Sequence, residues 1–347
     1  MYLVLLVVIF IFAGLFLFKR IKGGKKAFLI ATGFALFLYA ALRSKAFTGD
    51  VERYVEYFET YKQYSFREIL RLYTTEMKNP TYHFLGWLFS RGFNDVQWWL
   101  AFIGAMYAFT GVYVIYKESE SPLISVIAWI CLGFFSFSLT GLRQALALSF
   151  TTLAYFPAKK RKFWLFLLLV AIATLFHNSA FIFLIIYPIA NKKLGTFHIV
   201  VSVGVLVVFV AYQGQVRSLL SKIFEDSYLG GYADSETKLT FSGLIIQLAI
   251  FAFALLYYPN VIKKHEQANI LYNLSFIGVL FQLFSSMIAE FFRVSMYFSF
   301  FNVLLIPLAI ESEPNKEAKL VLSCSITLVL LLFAFRDGMP QYTFFWS

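Results

Sequence analysis

Residues 162–190 read KFWLFLLLVAIATLFHNSAFIFLIIYPIA, and after the initial Lys they contain no Asp, Glu, Lys or Arg. About 20 such residues cross a bilayer, so this stretch belongs in a membrane. Its polar triplet His177-Asn178-Ser179 favours two short segments, 162–176 and 177–190, over one long helix. Two segments return the chain to the side that it left, which keeps the basic pair after residue 190 on the same side as the basic cluster before residue 163.

The composition of the chain excludes a water-soluble protein. Soluble domains are about 45–50% apolar and about 25% charged, whereas this 347-residue chain is 60% hydrophobic and 14% charged. The net charge of +11 is divided among short basic clusters between apolar runs, so we expect no nucleic-acid partner. The predicted fold class is an all-α integral membrane protein, with membrane lipid around it.

Apolar runs similar to 162–190 recur along the whole chain. They predict about 12 transmembrane helices in a single polytopic membrane domain that covers residues 1–347. The predicted spans are 1–18, 27–42, 95–116, 122–139, 143–158, 162–176, 177–190, 197–213, 242–259, 268–288, 291–311 and 319–335.

The distribution of Lys and Arg predicts the orientation, because these residues accumulate in short cytoplasmic loops. Six short connections hold 16 of the 30 basic residues; they are 19–26, 117–121, 158–162, 191–196, 260–267 and 312–319. We therefore place them in the cytoplasm. Both termini and the two longest loops, 43–94 and 214–241, are then extracytoplasmic, and the predicted location is the cell membrane, with multiple passes.

The first extracytoplasmic loop carries apolar residues at helical spacing. Two groups follow the i, i+3, i+4, i+7 pattern and predict two amphipathic helices on the outer membrane face. The groups are Tyr54, Tyr57, Phe58 and Tyr61, and then Phe66, Ile69, Leu70 and Tyr73. The segment 82–89 is too short to span and is interpreted as a re-entrant or interfacial helix. Gly230 and Gly231 in the second loop suggest a mobile lid.

Ionisable side chains at membrane depth cost about 2.5–3.5 kcal/mol on insertion scales and mark functional sites. Outside the cytoplasmic clusters, the predicted topology gathers such residues at the outer face: Asp50, Arg53, Arg143, His177, Glu290 and Arg293. Helical spacing adds tyrosines to two of these groups. Tyr54 and Tyr57 share a face with Asp50 and Arg53, and Tyr297 shares one with Glu290 and Arg293.

This pattern suits a phosphate-bearing sugar substrate, because the guanidinium fork fits phosphate oxygens. We predict that Arg143 and Arg293 bind a pyrophosphate and that tyrosines beside acids contact sugar rings. Structural interpretations stay open for every residue. Arg143 could bind carbonyls at a turn, Arg293 could pair with Glu290, and His177 could be an ordinary helix-end residue. Asp50 could be a helix N-cap, and Tyr54 and Tyr57 could pack at the membrane interface.

The sequence contains no motif for a metal or a nucleotide. The four histidines are scattered without zinc-ligand spacing, and neither an Asp-x-Asp pair nor a GxxxxGK[ST] loop occurs. We therefore expect no cofactor and no metal.

Several short motifs follow one another in a characteristic order. They are Asp50 with Tyr54, Asn79-Pro80-x-Tyr82, Leu142-Arg143-Gln144, Phe176-His177-Asn178-Ser179-Ala180, and Arg293 with Tyr297-Phe298. This order resembles the EpsG family of bacterial exopolysaccharide and capsule polymerases, which belong to the Wzy type. The resemblance covers about residues 40–300.

The resemblance implies a glycosyltransferase that joins oligosaccharide repeat units carried on undecaprenyl pyrophosphate, at the outer face of the cytoplasmic membrane. Donor and acceptor are both lipid-linked, and undecaprenyl pyrophosphate leaves. The expected catalytic residues are His177, Arg143, Arg293 and Asp50. The expected substrate-binding residues are Gln144, Tyr54, Arg53, Glu290 and Tyr297. The proton acceptor is His177, Asp50 or Glu290, and the resemblance allows a chain-length regulator or flippase of the same pathway as a protein partner.

Three other functions fit parts of the pattern. A polytopic transporter or flippase of lipid-linked or sugar substrates would favour repeated halves and a site at the bilayer midplane. A membrane acyltransferase would show an Arg-Gly motif and an early histidine, and residues 1–42 contain neither. A lipid-linked single-sugar glycosyltransferase would place a catalytic acid in the first outer loop, where Asp50 or Glu52 could serve.

Overall fold

The computed structural model describes residues 2–17, 21–75, 80–212, 214–215, 241–285, 291–335 and 342–346. Within these ranges the chain forms helices and no strand, apart from one isolated bridge between Arg43 and Phe344. The predicted all-α class is confirmed. The proposed lid around Gly230 and Gly231 lies outside the described residues.

The first half of the chain forms ten α-helices in the described ranges. They are α1 (Tyr2–Phe12, continued by a π-helical turn at Ala13–Leu17), α2 (Gly24–Ala41), α3 (Gly49–Tyr61), α4 (Phe66–Thr75), α5 (Pro80–Gly92), α6 (Gln97–Glu118), α7 (Pro122–Cys131), α8 (Phe134–Ser138), α9 (Leu142–Lys159) and α10 (Phe163–Phe176).

The second half begins with a 3₁₀ helix at Asn178–Ile185 and continues in α-helices. These are α11 (Ile186–Ile189), α12 (Thr196–Ala211), α13 (Ser242–Lys264), α14 (Asn269–Phe284, preceded by a 3₁₀ turn at Glu266–Ala268), α15 (Phe291–Ser299), α16 (Asn302–Glu311) and α17 (Lys316–Phe335). Each of the twelve predicted spans coincides with one of these helices or with a pair of them.

Fewer helices are long and apolar enough to cross a bilayer on their own. Among the described residues five qualify: α2, α6, α13, α14 with its 3₁₀ turn, and α17. The pair α15 and α16, bent by 41°, would make a sixth. The remaining predicted spans are shorter or broken helices, except α9, which has 18 residues like α2 but does not qualify as apolar enough. The chain is therefore a helical membrane protein, and the count of twelve stays a prediction.

Three helix breaks shape the bundle. The predicted break after residue 176 is confirmed, because α10 ends where His177 adopts an extended backbone (φ −150°, ψ 112°). The predicted span 122–139 is instead divided into α7 and α8 by Gly133, whose φ of 82° is left-handed and favours glycine. The predicted span 291–311 is divided into α15 and α16 by a bend of 41°.

The segment 43–94, predicted to be extracytoplasmic, folds into α3, α4 and α5; the spacing predicts α3 and α4, and the short apolar segment 82–89 lies in α5. Thr48 caps α3, since its hydroxyl oxygen accepts from the Val51 N–H at 3.5 Å, so the N-cap interpretation of Asp50 is wrong. Ser65 and Glu68 form a capping box on α4: the Ser65 N–H donates to the carboxylate at 2.6 Å and the Glu68 N–H to the Ser65 hydroxyl at 3.3 Å. These bonds lower the pKa of the Glu68 carboxyl.

The apolar faces of these loop helices are buried to different extents. On α3, Phe58 and Tyr61 are buried. On α4 Ile69 is buried, while Phe66 and Leu70 are exposed; the side chain of Tyr73 lies outside the described ones. An apolar side that the protein leaves uncovered is compatible with a helix lying on a membrane surface.

The core of the bundle includes α7, α9 and α16, most of whose residues are buried. The helices α12, α13 and α17 are peripheral, and large apolar side chains on them face outward, such as Leu256 at 78% and Leu320 at 66% exposure. Lipid tails provide the apolar surroundings that such side chains need. The outward surface is therefore what a membrane-embedded bundle requires.

Close helix packing in this bundle depends on a small residue between α2 and α6. A Cβ at Gly104 would lie 2.6 Å from the Cβ of Ala40, whose position the α2 backbone fixes. We expect Gly104→Ala to force the helices apart and to cost about 1–3 kcal/mol, as overpacking does. Thermal unfolding in lipid nanodiscs measures this.

Gly204→Ala on α12 is the matched control, because a Cβ there meets nothing within 4 Å. It should leave the melting temperature unchanged or raise it, since Ala has the higher helix propensity. Equal melting temperatures for wild type and Gly104→Ala would contradict the close contact.

Candidate functional site

The first part of the site joins α9 to the loop helix α3. Arg143 lies in the first turn of α9 and is half-buried. Its Nε–H donates to the hydroxyl of Tyr54 at 3.3 Å, and its Cζ lies 5.7 Å from the centre of the Tyr54 ring. The loop helix therefore covers the start of α9 and orients its guanidinium group.

The second part joins α9 to α15. The side-chain amide of Gln144 is buried and donates to the backbone carbonyl of Arg293 at 2.6 Å. Arg293 lies in the first turn of α15. This bond places the first turns of two helices side by side, each bearing an arginine.

The third part is a hydrogen-bonded triad at the break after α10. The Nδ1 atom of His177 lies 2.8 Å from the Ser179 hydroxyl and 3.4 Å from the Tyr297 hydroxyl. The two hydroxyl groups are 3.3 Å apart. Tyr297 is one turn beyond Arg293 on α15 and is fully buried, so this helix contributes to both the second and the third part.

The charges of the two arginines reach the residues of the triad, so the three parts form one site. The charges of Arg143 and Arg293 both act on the His177 ring, and the charge of Arg293 also acts on Tyr297. Within the described residues no carboxylate forms an ion pair with either arginine. Arg293 Nε is buried and has no hydrogen-bond partner, and the same holds for the Oε1 atom of Gln144. Among the described residues the site thus holds two cations without a carboxylate counter-charge and one buried amide oxygen without a donor.

The other predicted site residues lie elsewhere. Asp50 is exposed in the first turn of α3, one turn before Tyr54, and among the described residues it forms no ion pair with Arg143 or Arg293. Arg53 is exposed on the same helix. Glu290 lies outside the described residues, so its predicted pairing with Arg293 stays a prediction.

Two neighbours of the site were not predicted to be part of it. Tyr82 on α5 is buried, accepts from the Trp99 Nε1–H at 3.2 Å and packs its ring 5.4 Å from that of Tyr54. Arg43 follows α2 and is buried, with Nε and Nη2 lacking partners. The Asn-Pro-x-Tyr motif marked Tyr82 without giving it a role, whereas Arg43 resembled an ordinary loop charge.

The described residues contain no group of three or more His, Cys, Asp or Glu that could hold a metal ion. The model of the EpsG family matches residues 26–342. The chain belongs to the EpsG family. No curated protein and no solved structure matches it. All residues of the three-part site lie within the region that the EpsG model matches.

Among the described residues the half-buried guanidinium group of Arg293 has no carboxylate partner, and this predicts an unusual stability effect in this EpsG protein. A charge that is removed from water without a counter-charge destabilises a fold, so Arg293→Met should leave the melting temperature unchanged or raise it. Thermal unfolding in nanodiscs measures this.

Arg91→Met is the matched control, because its Nη2 donates to three backbone carbonyls, those of Tyr61 (2.8 Å), Lys62 (3.1 Å) and Tyr64 (2.7 Å). This variant should lose about 1–3 kcal/mol. A loss of the same size from Arg293→Met would show that Arg293 holds the fold together.

Proposed function

We propose that this protein is a polysaccharide polymerase, which joins undecaprenyl-pyrophosphate-linked oligosaccharide repeat units by glycosyl transfer at the extracytoplasmic face of the cell membrane. Membership of the EpsG family supports a polymerase-like membrane protein. The observation that carries the proposal is the pair of arginines in adjacent first turns, next to a His–Ser–Tyr triad.

The two first turns suit a pyrophosphate for a physical reason. The N-terminus of a helix carries a partial positive charge and favours anions. Neither α9 nor α15 has an acidic residue in its first turn, and each has an arginine there, which opposes the helix dipole. A bound anion would compensate both arginines and both helix ends, and a pyrophosphate is large enough to meet two guanidinium groups at once.

The proposed reaction is glycosyl transfer at the anomeric carbon of the growing chain. A hydroxyl oxygen of the acceptor unit bonds to the anomeric carbon of the growing chain, and the bond from that carbon to the pyrophosphate oxygen breaks. The electron pair of this bond stays on undecaprenyl pyrophosphate. Arg143 and Arg293 stabilise the charge that develops there, and low local permittivity strengthens their effect.

His177 is the proposed acceptor of the hydroxyl proton. Because Nδ1 lies against Ser179 and Tyr297, a proton on Nδ1 can be donated to the Ser179 hydroxyl. In that tautomer Nε2 carries the free lone pair, so a neighbouring hydroxyl fixes which nitrogen acts as the base. Ser179 and Tyr297 are positioning residues in this scheme.

Reconstitution tests the proposal directly. The purified protein in proteoliposomes, given lipid-linked repeat units, should form a ladder of polymers without nucleotide sugar or added metal. In cells, loss of a polymerase leaves single capped repeat units, whereas loss of a transporter or of a single-sugar transferase leaves none. A cell that accumulates no capped repeat unit would contradict the proposed function.

The arginine pair generates a sharp prediction. Arg143→Lys and Arg293→Lys should each reduce polymer formation by about 10²–10³-fold, because lysine keeps the charge but lacks the bidentate fork. Arg67→Lys, on the exposed surface of α4, is the control and should retain full activity. A fully active Lys variant at position 143 or 293 would give that arginine a structural role only.

The proton acceptor generates a second prediction. His177→Ala should reduce polymerisation by about 10²–10⁴-fold, as loss of a general base does, while lipid-linked donor still binds. Ser179→Ala should have a smaller effect of about tenfold, the size of one lost hydrogen bond, and the exposed His265→Ala should have none. Normal activity of His177→Ala together with a dead Asp50→Asn would assign the base to the carboxylate instead.

A further inference from the structure

A separate cavity of about 260 Å³ lies beside the arginine site. Four elements supply most of its wall: the break between α7 and α8, the first half of α13, the end of α14 and the stretch from α15 into α16. Phe292 belongs to its lining, and the next residue, Arg293, belongs to the site already described. The cavity and the arginine site are therefore neighbours on α15.

Aromatic rings and uncharged polar groups line this cavity. Phe134, Phe137 and Phe292 supply rings, and Gln247 and Gln282 supply amides. Among the described residues its lining includes no Asp, Glu, Lys, Arg or His. A charged ligand would find no counter-charge in this lining, and an unbroken hydrocarbon chain could not satisfy the unpartnered polar groups in its wall.

Two of the polar groups are buried without any hydrogen-bond partner. The hydroxyl of Ser299 and the amide oxygen of Asn302 lack partners, although these residues are 0% and 1% exposed. Both line the cavity. Gln247 and Gln282 are instead joined, since the Gln247 amide donates to Gln282 Oε1 at 3.3 Å and to the Ser295 hydroxyl at 3.2 Å. Buried polar groups are nearly always satisfied, and a ligand in the cavity would satisfy these two once their side chains rotate toward it.

The backbone around the cavity creates the space for it. The left-handed Gly133 ends α7, and a Cβ at this position would meet nothing within 4 Å. On the opposite wall, Ser299 and Asn302 flank the bend of 41° between α15 and α16. With the orientation predicted from Lys and Arg, all these segments lie in the outer half of the membrane, the same half as Arg143 and Arg293.

We propose that this cavity binds one uncharged sugar ring, which rests on the proposed polymerase function and gives the lipid-linked oligosaccharide a subsite next to the pyrophosphate. Sugar hydroxyls both donate and accept, as the Ser299 hydroxyl and the Asn302 oxygen require. The C–H faces of the ring pack on the phenylalanine rings. The volume is below the range of about 300–1,000 Å³ typical of drug-sized ligands, which fits a single ring.

Saturation-transfer NMR on the full-length protein in nanodiscs, free of sugar-based detergent, tests this. The probes are the methyl glycosides of glucose, galactose, mannose, rhamnose and N-acetylglucosamine, with farnesol as the isoprenoid probe. At least one glycoside should bind to the wild type, and Ser299→Ala/Asn302→Leu should weaken it about tenfold or more. The double variant should keep its melting temperature, because neither group has a partner to lose.

Ser275→Ala is the matched control: its hydroxyl is also buried without a partner, but it does not line the cavity. It should bind the glycoside as the wild type does. If the double variant does not fold, Asn302→Leu alone serves. The inference is overturned if no glycoside binds, if binding survives the cavity substitutions, or if farnesol alone shows binding that depends on the cavity.

The same assay distinguishes this inference from the proposed function. Arg143→Lys should lose polymerisation and still bind the glycoside, because Arg143 does not line the cavity. A wild type that binds glycosides through the cavity but forms no polymer would contradict the polymerase and leave the sugar site standing. A wild type that polymerises but binds no glycoside through the cavity would support the polymerase and contradict the sugar site.

Discussion

The hydrogen bond from the Gln144 amide to the Arg293 carbonyl, at 2.6 Å, is the contact on which the proposed chemistry depends. It fixes two helix N-termini next to each other, and each of them presents an arginine. The bond thereby brings the two cations and the two helix dipoles together. Electrostatic repulsion works against the arrangement, so the packing of α9 in the buried centre of the bundle has to maintain it.

The lipid surroundings explain why the polar features cluster at helix breaks. A helix that continues through the bilayer satisfies its own backbone, whereas a break releases N–H and C=O groups that need other partners. In this chain the break after α10 carries His177 and Ser179, and the break between α15 and α16 carries Ser299 and Asn302. The shortened helices thus provide places where a polar substrate can be met inside an apolar protein.

Much of this arrangement follows from the sequence, for reasons that differ between residues. Apolar periodicity predicts α3 and α4, and the polar triplet predicts the break at His177. The distribution of Lys and Arg predicts that Arg143, His177 and Arg293 share a face, and the structure brings these three together.

The division of the span 122–139 was missed, because a glycine in an apolar run gives no sign of a left-handed backbone. The bond from Gln144 to a carbonyl far along the chain is tertiary and leaves no local pattern. The burial of Arg43 is hidden in the same way, since a basic residue after a span resembles a solvated loop charge.

In the proposed site the charged arginines and the neutral polar groups of the cavity occupy separate regions, and this has a consequence for catalysis. In the proposed reaction the arginines face the leaving pyrophosphate, where negative charge grows, and the cavity beyond Phe292 offers neutral amides and rings. Contacts with the leaving group then act mainly in the transition state, whereas hydrogen bonds to the hydroxyls of the sugar ring already form in the ground state. Substitutions at Arg143 and Arg293 should therefore appear mainly in kcat, and substitutions at Ser299 and Asn302 mainly in KM.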